Sequence, residues 1–314
     1  MPIKNASDWI WLSGEWVPWD EATVHVSTHG LNYGTHVFEG IRAYETPDGP
    51  AIFRLTDHMR RFMFSCKTMR MLDGMPFSQQ ELEDACVEIV NRNNHTACYI
   101  RPLAFKDSDS LGLTAMGQKT EVTIYSVAWG RYLGEKSIEE GVDVAVVSWR
   151  RIATTPMAKI GGQYTNNQQI SMEARRHGYA EGLALDEHGN VSEGAGENLF
   201  MVIDGELYTP PVAASILLGI TRDSVIKIAT DLGIKIHQEV FKREVLYMAD
   251  EMFMTGTAAE ITPIKSVDQM PVGAGKPGPI TKAIQDEFFG IVKGEKPDRY
   301  GWLQQIKQSE KIVE

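Results

Sequence analysis

Short apolar runs separated by turns dominate the first part of the chain and indicate strands. In residues 9 to 26, the apolar run Trp9-Ile10-Trp11-Leu12 leads through a Ser-Gly turn into a second short run, and Val24-His25-Val26 alternates after an acidic break. This pattern predicts hairpins at the edge of a sheet. Two further strands are predicted at residues 99–105 and 122–127.

Two segments between these strands have helical periodicity. The first follows Asp57, the predicted N-cap, and its apolar positions recur at helical spacing, at Met59, Phe62, Met63, Cys66 and Met69. We interpret the methionines among them as core residues. The second helix is predicted from Ser78 to Asn91, because Glu81 three residues after Ser78 completes a capping-box pattern.

A linker-like segment divides the chain. Residues 128–140 combine two glycines with a cluster of charged side chains, which is typical of a domain boundary. We therefore predict a small domain over residues 1–127, a connector over 128–140 and a larger domain over 141–314. The larger domain is predicted to contain strands at 142–147, 182–186 and 199–203, a helix at 167–177, a hairpin turn at Asp204-Gly205, and a helix that ends at Gly233.

A lysine and a glutamate between Pro156 and Phe200 form the candidate reactive pair. Lys159 is flanked by Ala158 and Ile160, and apolar neighbours disfavour the charged form of an amine and make it a better nucleophile. Glu193 lies beside glycines, where the backbone can approach a flat ligand closely. An amine and a carboxylate fit pyridoxal phosphate, because the amine binds its aldehyde carbon and the carboxylate keeps its pyridine nitrogen protonated. The alternative is that Lys159 is a turn residue.

Three further segments carry features that bind anions. The turn Gly219-Ile220-Thr221 precedes a helix, so its amides and the positive end of the helix dipole suit a phosphate, although ordinary helices also begin with glycine or threonine. The segment from Met254 to Pro263 offers amides among small residues. Arg101 lies in an otherwise apolar strand, so its burial requires an anion or the carboxylate of a structural salt bridge.

Composition narrows the classes of function. The 314 residues carry a formal net charge of -11, which argues against nucleic acid and against an anionic membrane as the main partner. Cys66, Cys86 and Cys98 lack the spacing of a disulfide framework or a zinc site, so we predict buried free thiols and no metal. The chain shows no signal-peptide pattern and no apolar stretch of about 18 residues, so we expect a cytoplasmic protein without a membrane span.

Six segments in register resemble the branched-chain aminotransferases, which are class IV, fold-type IV pyridoxal-phosphate enzymes. The resemblance runs from about Trp9 to Trp302. It implies an α+β or α/β fold with a small α+β N-terminal domain and a larger C-terminal domain built on a pseudo-barrel mixed sheet, with the cofactor between them. The matching segments are Tyr33-Gly34-Thr35 with Phe38-Glu39-Gly40-Ile41-Arg42, Tyr99-Ile100-Arg101-Pro102-Leu103, Ala128-Trp129 with Tyr132-Leu133-Gly134, Ser192 to Phe200, Gly219-Ile220-Thr221-Arg222, and Gly256 to Pro263.

The resemblance also implies a role for each matching cofactor residue. Lys159 would be the catalytic lysine that bonds pyridoxal 5'-phosphate and shuttles the proton, while Glu193 would pair with the pyridine nitrogen and Tyr164 would contact the O3′ region. The phosphate would be held by Arg61 and by residues of two turns, namely Gly219, Ile220, Thr221, Gly256 and Thr257.

Substrate contacts are implied in the same way. Tyr99 with the Thr257 and Ala258 amides would bind the α-carboxylate. Arg101, Tyr33 and Tyr132 would bind the distal carboxylate of glutamate. The side-chain pocket would be lined by Phe38, Gly40, Trp129, Tyr164 and Ala259. In this family Tyr33 and the loop at Leu111 and Leu113 reach into the partner's site, so we expect a homodimer at least, with a trimer of dimers as the larger assembly.

The predicted activity is reversible ping-pong transfer of the amino group of L-leucine, L-isoleucine or L-valine to 2-oxoglutarate. Two residues depart from the family pattern, since Ile160 stands where a smaller or more polar residue is usual and Leu218 where proline is frequent. The alternatives with the same fold are a D-amino-acid aminotransferase, an (R)-amine aminotransferase and aminodeoxychorismate lyase. A catalytically inactive binding protein is the alternative from another class, and the presence of both Lys159 and Glu193 argues against it.

Overall fold

The computed structural model describes residues 7–107, 111–128, 133–134 and 136–307. Of these, the residues within Met1–Trp129, Ala158–Gly162 and Gly290–Glu314 form one compact unit. Those within Gly130–Met157 and Gln163–Phe289 form another. We call them the first and the second unit.

The described residues form two groups of strands, with α-helices between some of them. The strands are β1 (Trp9–Leu12), β2 (Glu15–Pro18), β3 (His36–Phe38), β4 (Ile41–Thr46), β5 (Gly49–Phe53), β6 (Cys98–Lys106), β7 (Thr120–Val127), β8 (Val142–Arg150), β9 (Glu181–Leu185), β10 (Val191–Gly194), β11 (Asn198–Ile203), β12 (Glu206–Thr209), β13 (Ile236–Gln238), β14 (Glu251–Gly256), β15 (Glu260–Val267), β16 (Met270–Pro271) and β17 (Leu303–Gln305). The α-helices are α1 (His29–Tyr33), α2 (Leu55–Thr68), α3 (Gln79–Arg92), α4 (Ser137–Glu140), α5 (Tyr164–Arg176), α6 (Ile220–Asp231) and α7 (Pro279–Val292).

The first unit is built on an antiparallel sheet in the order β17-β5-β4-β6-β7-β1-β2, with β3 paired to β6. Strand alternation sends Ile41, Ile52 and Ile100 to one face, where they pack with the apolar sides of α2 and α3. Tyr99 and Arg101 lie between these core positions along the chain, so they face the opposite side of the sheet. One face therefore forms the core and the other is available for chemistry.

The second unit contains a mixed sheet in the order β10-β9-β8-β15-β14-β11-β12-β13, with β16 paired to β15. Strand β8 runs parallel to β9 and to β15, whereas β14 pairs antiparallel with both β11 and β15. Its central strands are buried along most of their length, which explains their continuous apolar runs. Helix α5 packs on β8 and β9.

Several local predictions are confirmed. The capping box of α3 is present, with Ser78 Oγ accepting from the Glu81 amide and the Glu81 carboxylate accepting from the Ser78 amide. The hairpin turn at Asp204-Gly205 joins β11 to β12, and both of its residues have positive φ. Among the described residues, no helix combines the length and the apolar character needed to cross a membrane.

Three local predictions are wrong. Val24-His25-Val26 is not a strand, since these residues pair with no neighbouring strand and Val24 and Val26 are exposed. Helix α2 begins at Leu55 rather than after Asp57. Its N-cap is Arg54 in a left-handed conformation, and Asp57 instead forms an ion pair with the Arg54 Nε at 2.7 Å. Helix α5 also begins earlier than predicted, at Tyr164.

The two units differ from the contiguous domains proposed from the sequence. Residues 158–162 lie in the first unit because Ile160 bridges to Val37 and because Ala158 and Ile160 pack in its core. The end of the chain also belongs there, since β17 pairs with β5. A boundary drawn from linker composition does not detect a segment that returns to an earlier sheet.

A buried carboxylate connects α2 to the sheet of the first unit. Glu39, which has no exposed surface, accepts hydrogen bonds from Arg61 Nε at 2.6 Å, Arg61 Nη2 at 2.8 Å and His58 Nδ1 at 2.8 Å. Burial alone would raise the pKa of Glu39, but the charge and hydrogen bonds of Arg61, together with His58, hold it well below its usual range. An ionised carboxylate only accepts, so His58 Nδ1 carries a proton. Burial lowers the pKa of His58, so its imidazole is neutral in the folded chain.

We expect the free energy of unfolding to fall as the pH is lowered through about 6.5, the ordinary histidine value. The unfolded chain takes up a proton at His58 in that range while the folded chain does not, so the stabilisation is complete above the ordinary pKa and is lost toward the lowered one. The limiting slope is about 1.4 kcal/mol per pH unit for each such histidine. Burial also lowers the pKa of His36 and His95, which contribute with the same sign.

Urea unfolding between pH 8 and 5 measures this slope. His58→Gln should make the slope shallower, whereas the matched change His188→Gln, at an exposed side chain, should leave it unchanged. Equal slopes for wild type and His58→Gln would show that His58 is not held neutral.

Candidate active site

Lys159 is fixed through its backbone on both sides. Its amide donates to Ser65 Oγ at 2.9 Å and its carbonyl accepts from the Phe38 amide at 3.1 Å. Its neighbour Ile160 is buried in the core, so strand alternation turns Lys159 to the other side, where Nζ lies 4.9 Å from the centroid of the Phe38 ring. The departure from the family pattern at Ile160 is therefore accommodated in the core, away from the amine.

An apolar ring and a basic group lie next to each other on the same face of the first sheet. The Arg101 guanidinium lies 4.7 Å from the Phe38 ring centroid and donates to Tyr99 Oη at 3.0 Å. At Gly40 a Cβ atom would come within 1.9 Å of Tyr99 Oη, so only glycine permits this position of the tyrosine. Arg42 pairs directly opposite Tyr99 and shares this face. The surface can accept an apolar group or an anionic oxygen.

Glu193 is enclosed by hydrogen-bond donors in the second unit. Its buried carboxylate forms an ion pair with Arg151 and accepts from Asn198 Nδ2 at 2.7 Å and from the Leu217 amide at 3.0 and 3.1 Å. Asn167 Oδ1 accepts from Arg151 Nη1 at 2.6 Å and holds the guanidinium in place. These donors offset the cost of burying the carboxylate and fix its plane.

The first turn of α6 lies next to the Glu193 cluster. Gly219 precedes the helix and provides no side-chain cap, so the first amides of α6 depend on another acceptor. A Cβ atom at Gly219 would come within 1.9 Å of Asn198 Oδ1, and Asn198 also donates to the Leu217 carbonyl at 2.8 Å. The helix start, where Ile220 and Thr221 are buried, is thus attached to the residue that holds Glu193. Amides at the positive end of a helix suit a phosphate.

A second turn with small residues connects β14 to β15 in the same unit. It contains Thr257, Ala258 and the buried Ala259. At Gly256, which ends β14, a Cβ atom would come within 3.2 Å of the Gly196 carbonyl oxygen, so this turn packs closely against the segment that follows Glu193. The turns at Gly219 and Gly256 therefore both lie close to the segment that contains Glu193.

The remaining predicted site residues lie outside the sheet face and the two turns described above. Tyr164 is half-buried at the start of α5. Tyr33 in α1 donates from its hydroxyl to the Leu111 carbonyl at 2.8 Å, and Leu113 is 82% exposed. Trp129 and Tyr132 lie outside the described residues. No group of three or more His, Cys, Asp or Glu side chains in the described ranges could hold a metal ion.

The sequence analysis did not assign roles to several residues that lie next to the predicted site residues or form hydrogen bonds with them. Most are polar residues in apolar or buried segments, and the requirement that a buried charge be paired is the signal that could have indicated Glu39 and Arg151. Ser65 and Asn198 carry no such signal, because their contacts depend on the fold. The residues missed are Glu39, Arg42, His58, Ser65, Arg151, Asn167 and Asn198.

Comparison with known proteins shows the family of the chain. The family model for amino-transferase class IV matches residues 36–267. The branched-chain-amino-acid aminotransferase of Escherichia coli strain K12 is 51% identical over 314 residues, which are 98% of this chain and 100% of the relative. A crystal structure of the Escherichia coli branched-chain amino acid aminotransferase superposes with a TM-score of 0.94 at 50% identity, over 96% of this chain and 100% of the other.

A third comparison concerns an enzyme solved with its cofactor. The branched-chain amino acid aminotransferase from Thermobaculum terrenum, in its PLP-form, superposes with a TM-score of 0.90 at 35% identity, over 97% of this chain and 100% of the other. These likenesses confirm the predicted family, fold class and enzyme class. The chain belongs to the branched-chain-amino-acid aminotransferases of class IV.

Proposed function

We propose that this enzyme transfers the amino group of L-leucine, L-isoleucine or L-valine to 2-oxoglutarate, with pyridoxal 5'-phosphate as its cofactor. The observation that carries the proposal is the common sheet face on which the Lys159 amine, the Phe38 ring and the Arg101–Tyr99 pair lie. That face combines a nucleophile with contacts for both an apolar and an anionic side chain. The relatives named above are branched-chain amino acid aminotransferases by name, which supports the proposal.

The residues present fit this cofactor by their chemistry. Pyridoxal phosphate has an aldehyde, a phosphate and a basic ring nitrogen, and when bound it supplies a ring that withdraws electrons from the substrate α-carbon. Lys159 is the amine for the aldehyde and Glu193 the acceptor for the protonated ring nitrogen. Tyr164 contacts the O3′ region. The phosphate contacts are assigned to Arg61 and to the two turns at Gly219, Ile220, Thr221, Gly256 and Thr257, because a guanidinium and helix-start amides bind phosphate.

Proton movement is assigned to Lys159. Its Nζ would take the proton from the substrate α-carbon and deliver it to C4′, the former aldehyde carbon of pyridoxal phosphate, which requires the lysine to be held at one place. Both backbone bonds of Lys159 provide that fixed place. Glu193 holds a proton at the ring nitrogen, and the donors around its carboxylate keep the acceptor oriented.

The substrate contacts are assigned by chemistry, because one pocket has to accept the acidic side chain of glutamate and the apolar side chain of leucine. Tyr99 with the Thr257 and Ala258 amides binds the α-carboxylate, which all substrates share. Arg101 binds the distal carboxylate of glutamate, and Phe38 packs against the apolar chain of leucine. Tyr33, Gly40, Leu111, Leu113, Trp129, Tyr132 and Ala259 complete the proposed lining.

We propose a homodimer as the minimum assembly, located in the cytoplasm. Leu111, Leu113 and Met116 are exposed on one loop of the first unit, and this loop is held to α1 by the Tyr33 hydroxyl and by His29 Nε2, which lies 2.9 Å from the Gly112 carbonyl oxygen. A group of exposed apolar side chains of this kind is typical of an interface. The described cysteines are free thiols, which suits a reducing compartment.

Lys159→Ala should abolish the covalent cofactor bond and lower turnover by roughly 100- to 10,000-fold, because no other amine is assigned to move the proton. Borohydride reduction of the wild type followed by peptide mapping should place the cofactor on Lys159. The matched change Lys227→Ala, at a half-exposed lysine, should leave both results unchanged. A cofactor adduct on another lysine would overturn the assignment.

Arg101→Ala should weaken the half-reaction with glutamate or 2-oxoglutarate by at least ~10-fold, equivalent to about 1.4 kcal/mol, because the distal carboxylate loses its charge-assisted bonds. The L-leucine half-reaction should change much less, since leucine has no distal charge. Single-turnover kinetics with each substrate measure the two effects, and Arg60→Ala, at an exposed arginine of the same unit, is the control. Equal losses for both substrates would mean that Arg101 binds the shared α-carboxylate or is structural.

Leu113→Asp should raise the dimer dissociation constant by at least ~10-fold, because an interface would have to bury the new carboxylate without a partner. Light scattering over a dilution series measures the assembly and also distinguishes a dimer from a trimer of dimers. Met248→Asp places the same charge at an exposed apolar residue of the second unit and should leave the dimer intact. A dimer that resists Leu113→Asp would place the interface elsewhere.

A further inference from the structure

We propose that Glu39 and Ser65 are positioning residues that fix the reactive lysine and the phosphate-binding arginine relative to each other. The two side chains belong to a closed circuit of buried contacts that runs through Lys159 and Arg61. This inference rests on the proposed roles of Lys159 and Arg61 in binding pyridoxal phosphate. Neither Glu39 nor Ser65 has to touch the cofactor for it to hold.

The circuit can be followed atom by atom within the first unit. The Lys159 amide donates to Ser65 Oγ at 2.9 Å, and Ser65 Oγ donates to the Arg61 carbonyl at 2.9 Å. The Arg61 guanidinium donates to the Glu39 carboxylate at 2.6 and 2.8 Å. Glu39 is bonded covalently to Phe38, whose amide donates to the Lys159 carbonyl at 3.1 Å. The path therefore returns to the lysine from which it started.

Burial makes this circuit stiff. Glu39 and Ser65 have no exposed surface, so water cannot replace a partner that moves away. Glu39 is also tied by its amide to the Pro102 carbonyl at 2.9 Å and by its carboxylate to His58 Nδ1 at 2.8 Å. A shift of either residue would leave a buried polar group without a hydrogen bond. The free-energy cost of that loss favours the native arrangement.

The contact between Glu39 and Arg61 fixes an orientation as well as a position. The carboxylate receives both Nε and Nη2, so the two planar groups meet along one edge of the guanidinium. A bidentate contact of this kind allows much less rotation than a single hydrogen bond. A lysine at position 61 could carry the charge but could not be aligned in this way.

A rigid ligand explains why such a circuit is useful. The aldehyde carbon and the phosphate of pyridoxal phosphate are joined through a planar ring, so the distance between the amine and the phosphate contact must match a nearly fixed length. Placing reacting groups correctly before the substrate arrives accounts for a large part of catalysis. The circuit sets that length from residues of α2, the segment at Phe38 and the Lys159 segment.

The test compares two ligands on three variants of the full-length chain from which the cofactor has been removed. Pyridoxal phosphate and pyridoxal both react with Lys159, but only the first has a phosphate for Arg61. Absorbance titration gives a dissociation constant for each ligand. For each ligand, the ratio of the variant constant to the wild-type constant does not depend on the properties of the free ligand. The variants are Glu39→Gln, Ser65→Ala and, as a control, Thr120→Val, which removes a buried hydroxyl bonded to the Met71 carbonyl at 2.7 Å in the same unit.

Glu39→Gln should weaken pyridoxal phosphate binding by at least ~10-fold and pyridoxal binding by less than about 2-fold, because only the phosphate contact loses its charge-assisted alignment. Ser65→Ala should weaken both ligands by similar factors of about 3 to 10, since the Lys159 amide loses its partner in either case. Thr120→Val should lower the unfolding midpoint in urea and leave both constants unchanged.

Three results would overturn the proposal. They are equal losses for both ligands in Glu39→Gln, unchanged constants in Ser65→Ala, and losses in Thr120→Val that match those of the other two variants at equal loss of stability. Ser65→Ala is a small substitution and decides the matter by itself where Glu39→Gln does not fold. Failure of the proposed function has a different signature, because the wild type would then bind neither ligand at Lys159.

Discussion

The contact of Lys159 and Ile160 with β3 determines the surroundings of the Lys159 amine. Val37 bridges to Ile160, and the Phe38 amide donates to the Lys159 carbonyl. This pairing places a lysine from the middle of the chain on a sheet whose strands come from residues 9–127 and 303–305. Side chains of successive residues in an extended segment point to opposite sides, so Ile160 enters the core and Lys159 faces the Phe38 ring.

Each unit contains a buried carboxylate that is paired with a guanidinium, Glu39 with Arg61 and Glu193 with Arg151. Such pairs give little net stability, because desolvation offsets much of their attraction. Their value here is geometric, since a carboxylate surrounded by donors has one orientation. The pKa of Glu39 shows the result, because its arginine outweighs burial and holds the pKa well below its usual range.

Features that depend on neighbouring residues were predicted from the sequence. Contacts between residues that lie far apart along the chain were missed. The capping box at Ser78 and the hairpin at Asp204-Gly205 are set by neighbouring residues and were predicted correctly. Asp57 was misassigned because a left-handed Arg54 caps α2, which no propensity favours. Lys159, Glu193 and Arg101 were identified from their neighbours in the sequence, and the resemblance supplied their specific roles. It could not supply Ser65, whose bond to the Lys159 amide joins residues 94 positions apart.

The proposed binding of both acidic and apolar substrate side chains can be explained by the different contents of the two faces of the first sheet. One face of the first sheet is filled with apolar side chains, so the substrate contacts must come from the other, where Phe38, Tyr99 and Arg101 alternate with core residues. The Arg101 guanidinium lies over the Phe38 ring and bonds to Tyr99, so it can remain solvated by protein groups when an apolar side chain is bound. A charge with no such partners would have to be desolvated for every leucine, and the pocket would then discriminate against the branched-chain substrate. In the proposed function, this stacking of Arg101 on the Phe38 ring is what would allow an acidic and an apolar side chain to use one site.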